Sequence, residues 1–273
     1  MTQRTSRALT KSHIYKHLEM EMGSTGEKTC EGTMPIGADI MTPGGLRAAL
    51  PALLLEGILG NNLIRKGWPV LSNMSYQVRD GADGVARARA VGEVVRIGRT
   101  AAINRGRIED ADHPERLLAY GILGFRMIEP QSDYHPKELM KSLATPPGSA
   151  SDEVRPGILE AMGLQIDIDE GTCELDCVHP GLMGPEGRLH GGAHQLMHEA
   201  AAIAAATREA GTDRVRTGEF TIHFIAPTRG GPFVARTQLL SRGSEDLLFG
   251  VELGDAEGTG RPCSVSTFRM VIV

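Results

Sequence analysis

The chain has 273 residues, 41% of them hydrophobic and 23% charged, with 29 basic against 34 acidic side chains and a formal net charge of -5. That composition fits a folded globular protein able to build one large core or two ordinary ones. A slightly acidic chain without a basic cluster is a poor nucleic-acid partner, and no segment reaches the ~18 consecutive apolar residues that a membrane span needs.

In chain order, the first segment, "MTQRTSRALTKSHIYKHLEMEMG", is basic and helix-prone but lacks the apolar centre of a signal peptide, which points to the cytoplasm. A strand is expected around "TCE" at 29–31, followed by a helix opened by Gly44 and Gly45, then alternating strands at "VLSNMSYQV", "VVRIGRTAAINRGRIED" and the "FRM" of 125–127. The stretch 129–156 is rich in proline, serine and charge and reads as a linker, with a short helix at "PKELMKSL". After it the order recurs: "TCELDCVH" as a strand, a helix from about Gly192 to Ala210 ended by Gly211, then "TGEFTIHFI", "LLSRGSEDLLFGVELGD" and a second "FRM" at 268–270. Cys173 and Cys177 stand near His179, and Cys30 and Cys263 are isolated; without paired zinc-type spacing, all four are expected to be ordinary thiols.

The recurrence is a tandem repeat. Both "TCE" and "FRM" return after 143 residues, and the glycine pair returns after 147 at Gly191 and Gly192. Residues 1–128 form one repeat, 129–156 the linker and 157–273 the second repeat. Each consists of one apolar helix and several antiparallel strands, an α+β unit that must bury the helix against its sheet.

Two motifs then carry a resemblance. "LHGGAHQLMHEAA" is similar to the His-Gly-Gly of hotdog-fold acyl-CoA thioesterases, PaaI-like branch, in which a catalytic Asp or Glu stands eight residues after the first glycine; here that residue is Glu199. "FIAPTRGGPFVARTQLLSRG" resembles the strand, proline turn and glycine-punctuated strand of the same family. The resemblance covers nearly the whole chain in tandem form and implies a double hotdog, an intramolecular pseudo-dimer that hydrolyses an acyl-CoA thioester with no cofactor beyond the coenzyme A of its substrate. It also implies that copies of the chain can pair further.

The chemistry needs a carboxylate near the thioester carbonyl and donors for the developing oxyanion. Backbone N–H groups at a helix start supply such donors. Glu199 lies about two turns, roughly 12 Å, beyond Gly191 on the same helix, too far to attack a carbonyl held there. The resemblance implies that carboxylate and glycine come from opposite halves, which pairs Glu199 with Gly44 and Gly45. The reciprocal site, at His190 and Gly191, then faces Ala52 and is expected to have lost its carboxylate. Glu56, one turn further on, is a candidate substitute for it, though it departs from the pattern. Thr217 falls at the hydroxyl position that in relatives places the attacking water, and Gln195, one turn before Glu199, is a candidate substrate contact. Arg99, Arg229 and Arg242 are candidates for the coenzyme A phosphates.

Rival readings remain open at this level. His190, His194 and His198 are spaced by four and suggest a metal, but His190 precedes the helix and the second histidine of a zinc-protease motif is missing; no metal is expected. "IMTPGGL" and the "HPG" at 179–181 suggest a dehydratase or hydratase acting on an acyl thioester, with poor spacing to Glu199. Loss of one site would also suit a non-catalytic acyl-CoA binding protein. With one Trp, four Tyr and six Phe, the acyl group leans toward aliphatic or alicyclic.

Overall fold

The computed structural model describes residues 13–64, 66–129, 156–184, 187–228, 230–255 and 261–273. The helix expected at 136–143, nearly all of the linker, and Arg229 lie outside the described residues. The first half runs through α1 (Ile14–His17), β1 (Glu21–Ser24), β2 (Thr29–Pro35), a small hairpin of β3 (Met41–Thr42) and β4 (Gly45–Leu46), α2 (Ala49–Leu63), β5 (Trp68–Val78), β6 (Arg87–Ile97), β7 (Ala101–Asp110) and β8 (Leu117–Ile128). The second comprises α3 (Ile158–Ala161), β9 (Gln165–Asp167), β10 (Thr172–Leu175), α4 (Gly191–Ala210), β11 (Val215–Phe224), β12 (Phe233–Arg242), β13 (Asp246–Asp255) and β14 (Ser264–Ile272).

Twelve strands form one antiparallel sheet in the order β1-β2-β6-β7-β8-β5-β11-β14-β13-β12-β10-β9. The halves join edge to edge at its centre, where β5 pairs with β11 and Tyr76 stands opposite Phe220. In β7 alternate residues are buried and exposed, which is the pattern of a sheet with one face on the core. The two long helices lie on that inner face and against each other.

Side-chain size explains how each helix seats. Cys30, Gly92, Gly106, Gly121, Tyr76, Phe220, Phe268 and Phe249 stand side by side in one row across eight strands. In the first half this row is mostly glycine, and the leucines of α2 fill the space: a Cβ on Gly92 would stand 2.8 Å from Leu59 Cδ2, and one on Gly121 3.1 Å from Leu55 Cδ2. In the second half the row is phenylalanine, with Phe220 and Phe268 stacked at 5.0 Å, and the helix above it is alanine-rich. Large residues on one layer meet small ones on the other, which keeps both halves at close-packed density.

Helix α4 matches its sequence signals, with His190 as N-cap and Gly211 at φ 68° as the left-handed C-cap. Helix α2 does not. Gly44 and Gly45 do not open it: Gly44 lies in the turn between β3 and β4, Gly45 starts β4, and the helix begins at Ala49. Gly45 has φ 135°, and a Cβ on Gly44 would collide with the backbone of Val215. These glycines serve a tight turn pressed on the start of β11, not a helix mouth.

The glycine row makes a direct prediction. Gly106→Val would drive a side chain onto Leu55 and place its Cβ 2.8 Å from the Val91 carbonyl oxygen. Overpacking of this kind costs about 1–3 kcal/mol, which a urea unfolding curve will show as a lower midpoint with little change in slope.

Candidate active site

An α-helix starts with amides that have no partner within it. Helix α2 has no side-chain cap from its own N-terminal neighbour. Its cap comes from the other half of the chain. Glu199 Oε1 accepts from the Ala48 N–H at 2.7 Å and Oε2 from the Ala49 N–H at 2.9 Å, while Thr217 Oγ1 donates to Oε1 at 2.7 Å. Glu199 and Thr217 are both buried. Burial pushes the Glu199 carboxyl above the usual carboxylate range, opposed by the Arg47 guanidinium and the three donors. The partners expected for Glu199, Gly44 and Gly45, are thus replaced by Ala48 and Ala49, because the helix mouth lies beyond the glycine turn.

The same correction applies to the reciprocal site. Counting eight residues from Ala48 reaches Glu56, which precedes Glu199 by 143 residues, the spacing of the "TCE" and "FRM" repeats. The first repeat has kept its carboxylate. Glu56 Oε1 lies against the start of α4, where a Cβ on Gly191 would stand 2.7 Å from it. Yet α4 caps itself, since His190 Nδ1 accepts from the Gly192 N–H at 3.0 Å. Glu56 is therefore not consumed by capping. Gln195 Nε2 donates to its Oε2 at 2.6 Å, so Gln195 orients the acid. Burial raises the Glu56 carboxyl from its ordinary 4.5 to about 8, with the Gln195 hydrogen bond pulling the other way.

Glu56 borders a cavity of about 390 Å³, within the range of small-molecule sites. Its polar end is made by Tyr15, Glu56, His190 and Gly191, and its apolar wall by Trp68, Leu71, Phe125, Phe224 and Ile225. Arg126 and Arg188 also line it. Glu199, Thr217, Arg99 and Arg242 do not. Arg99 is exposed in the turn between β6 and β7, and Arg242 is exposed with Nη1 3.8 Å from Glu209 Oε2.

The histidines have other partners. His194 Nδ1 lies 2.8 Å from Ser264 Oγ and its Nε2 3.0 Å from Thr228 Oγ1, while His198 bridges Ser266 at 2.6 Å and Ser264 at 2.8 Å. Burial lowers both imidazoles to about 3 and so keeps them neutral. Among the described residues no three His, Cys, Asp or Glu side chains converge as a metal site. His179, the candidate dehydratase histidine, has its Nε2 2.9 Å from the Met162 carbonyl oxygen and its Nδ1 on the Gly181 N–H, and it does not line the cavity.

Comparison with known proteins agrees with this architecture. Residues 186–260 match the thioesterase superfamily. The chain has the double hotdog fold, and the match falls within its second half. No curated protein matches it. Among solved structures it is similar to an acyl-CoA thioesterase II from Mycobacterium marinum, with 12% identity, a TM-score of 0.60, and coverage of 95% of this chain and 98% of that one. It is also similar to a conserved hot dog fold protein of unknown function from Alicyclobacillus acidocaldarius (14%, 0.58, 96% and 98%) and to an acyl-ACP thioesterase from Bacteroides thetaiotaomicron (11%, 0.56, 90% and 100%). At these identities the likeness is one of fold, and thioester hydrolysis is the general chemistry that the superfamily match supports.

In this double hotdog the two carboxylates sit at equivalent places with different freedom. The Ala48 and Ala49 amides facing Glu199 are already its hydrogen-bond donors, so they are not open to a substrate carbonyl. Facing Glu56, Gly191 lies on the wall of the cavity. Of the cavity-lining residues, Glu56 was expected only as a substitute carboxylate, and Tyr15, Arg126 and Arg188 carried no sequence signal. The repeat spacing of 143 was the signal that could have found Glu56.

Glu199→Gln tests the capping role. The amide would turn an NH2 toward an N–H donor, and losing a charged hydrogen bond costs about 1.5–3 kcal/mol. The expected result is a clearly lower denaturation midpoint.

Proposed function

We propose that this protein hydrolyses an acyl thioester in the cavity at the start of α4, with Glu56 as general base or nucleophile. The observation that carries the reading is that Glu56 borders the cavity while Glu199 is sealed beneath the start of α2. The thioester carbonyl would point at Gly191, where the helix dipole and an outward N–H favour negative charge. Glu56 would take a proton from a water as that water attacks the carbonyl carbon. The tetrahedral intermediate would then expel the thiolate, which recovers the proton from the Glu56 carboxyl, leaving free acid and thiol.

A coenzyme A thioester is the favoured substrate. The apolar wall suits an acyl chain, and Arg126 and Arg188 offer guanidinium groups to phosphate. All four cysteines are free thiols, which supports a reducing compartment such as the cytoplasm. A second reading keeps Glu199 as the catalytic acid with Thr217 beside it, because both lie within the matched residues 186–260. It would require the Ala48 and Ala49 amides to let go of the carboxylate.

Thiol release from a panel of acyl-CoAs separates the two readings. Glu56→Gln is expected to lose about a hundredfold or more in turnover, in the range for removal of a positioned base, while folded Glu199→Gln stays within about threefold of the parent. The opposite result would install Glu199 instead.

The pH dependence follows from the same group. Activity requires ionised Glu56, so kcat/KM should climb with pH and level off above about 8. Stability runs the other way. The folded state holds the Glu56 proton up to about 8 and the unfolded state releases it near 4.5, so between these values the folded form binds more protons and stability falls as pH rises. Thermal unfolding of the parent across pH 5–8, set against Glu56→Gln, should show this decline only in the parent.

A further inference from the structure

Oxyanion sites work through donors fixed in advance, and the start of α4 has fewer available than its glycine pair suggests. The Gly192 N–H is taken by His190 Nδ1 at 3.0 Å. Of the two glycine amides, that of Gly191 has no acceptor among the described residues and is the one left to a carbonyl in the cavity.

The same hydrogen bond sets the protonation of the histidine. An amide N–H can only donate, so His190 Nδ1 carries no proton and, in the neutral ring, Nε2 carries one. His190 is held neutral, its imidazole lowered to about 3 chiefly by burial, with His13 and His194 adding to the effect. Its Nε2 lies 3.1 Å from Tyr15 Oη, so the imidazole donates and the phenol oxygen accepts. The hydroxyl proton of Tyr15 must then point elsewhere. Among the described residues His190 is the one side-chain hydrogen-bond partner of that hydroxyl. Tyr15 is 5% exposed and lines the polar end of the cavity with Glu56, His190 and Gly191. The ring is wedged in place, packed edge-on to His190 at 5.1 Å, with its hydroxyl 3.3 Å from where a Cβ on Gly57 would stand.

We propose that Tyr15 is a catalytic residue, donating its hydroxyl hydrogen bond to the thioester carbonyl oxygen and to the oxyanion formed from it, with the Gly191 amide as the other donor. His190 is a positioning residue: it withdraws one glycine amide and aims a phenol in its stead. Burial and the nearby Glu56 carboxylate raise the phenol well above its usual range, so it stays a neutral donor at any pH at which the protein works. The proposal rests on the placement of hydrolysis at Glu56.

Two measurements test it. Tyr15→Phe removes only the hydroxyl and should lower kcat on a good acyl-CoA by about a hundredfold, the usual effect of deleting one oxyanion donor, with KM changed by less than about threefold. The second readout needs no turnover. An acyl-CoA analogue with the thioester sulfur replaced by methylene and a 13C-labelled carbonyl is bound, and its carbonyl stretch is recorded. The band should lie at lower wavenumber in the parent than in Tyr15→Phe. A variant of near-parental kcat, or an identical band, overturns the role. If Tyr15→Phe does not fold, 3-fluorotyrosine at position 15, a stronger donor of nearly the same size, should lower the band further, and an unmoved band overturns the role. Glu56→Gln is assayed in parallel. Full turnover in that variant would sink the site assignment, while the carbonyl band still judges Tyr15 on its own.

Discussion

Two helices begin on the inner face of one sheet, and each presents amides that must find an acceptor or remain unpaired in a dry interior. That requirement organises the centre of this protein. A buried amide without a partner costs about as much as a lost hydrogen bond, so each helix start must be satisfied locally or from across the pseudo-dimer. Helix α2, preceded by alanine and arginine, has nothing local and takes the carboxylate of Glu199. Helix α4, preceded by His190, caps itself. One carboxylate becomes a structural element and the other is left beside a cavity.

This asymmetry arises within an otherwise shared plan. Ala48 and Gly191 stand at equivalent helix starts, and Glu56 and Glu199 at equivalent positions along the helices. Arg47 corresponds to His190 at the same spacing. A guanidinium has no lone pair to offer an amide, whereas a neutral imidazole does. One difference in acceptor capacity, at the residue before the helix, is enough to separate a sealed acid from an accessible one. The packing below the helices is asymmetric too, with leucine over glycine in one half and alanine over phenylalanine in the other.

Much of the fold was legible before any coordinates. The repeated "TCE" and "FRM", the alternation in the long strands, and the boundaries of α4 from its histidine and Gly211 all depend on neighbours within a few residues. The start of α2 was not legible in the same way. Gly44 and Gly45 looked like the counterpart of Gly191 and Gly192, but their surroundings are set by Val215 and Gly81, both far along the chain. That misplacement by one turn moved the count of eight from Glu56 to Ala52. Tyr15 was equally hidden, since 175 residues separate it from the histidine that aims it.

The sequence by itself determined a tandem plan of one helix and several antiparallel strands per half, because periodicity and repeat spacing are local and survive without tertiary context; the hotdog fold was implied by the resemblance. The sequence also holds Glu56 and Glu199 at one repeat spacing, 143 residues apart. Only the tertiary structure decided what each glutamate meets. Whether a carboxylate is free depends on which amides already have an acceptor, and those amides lie 135 to 151 residues away, across an interface that exists only once both halves have folded against each other.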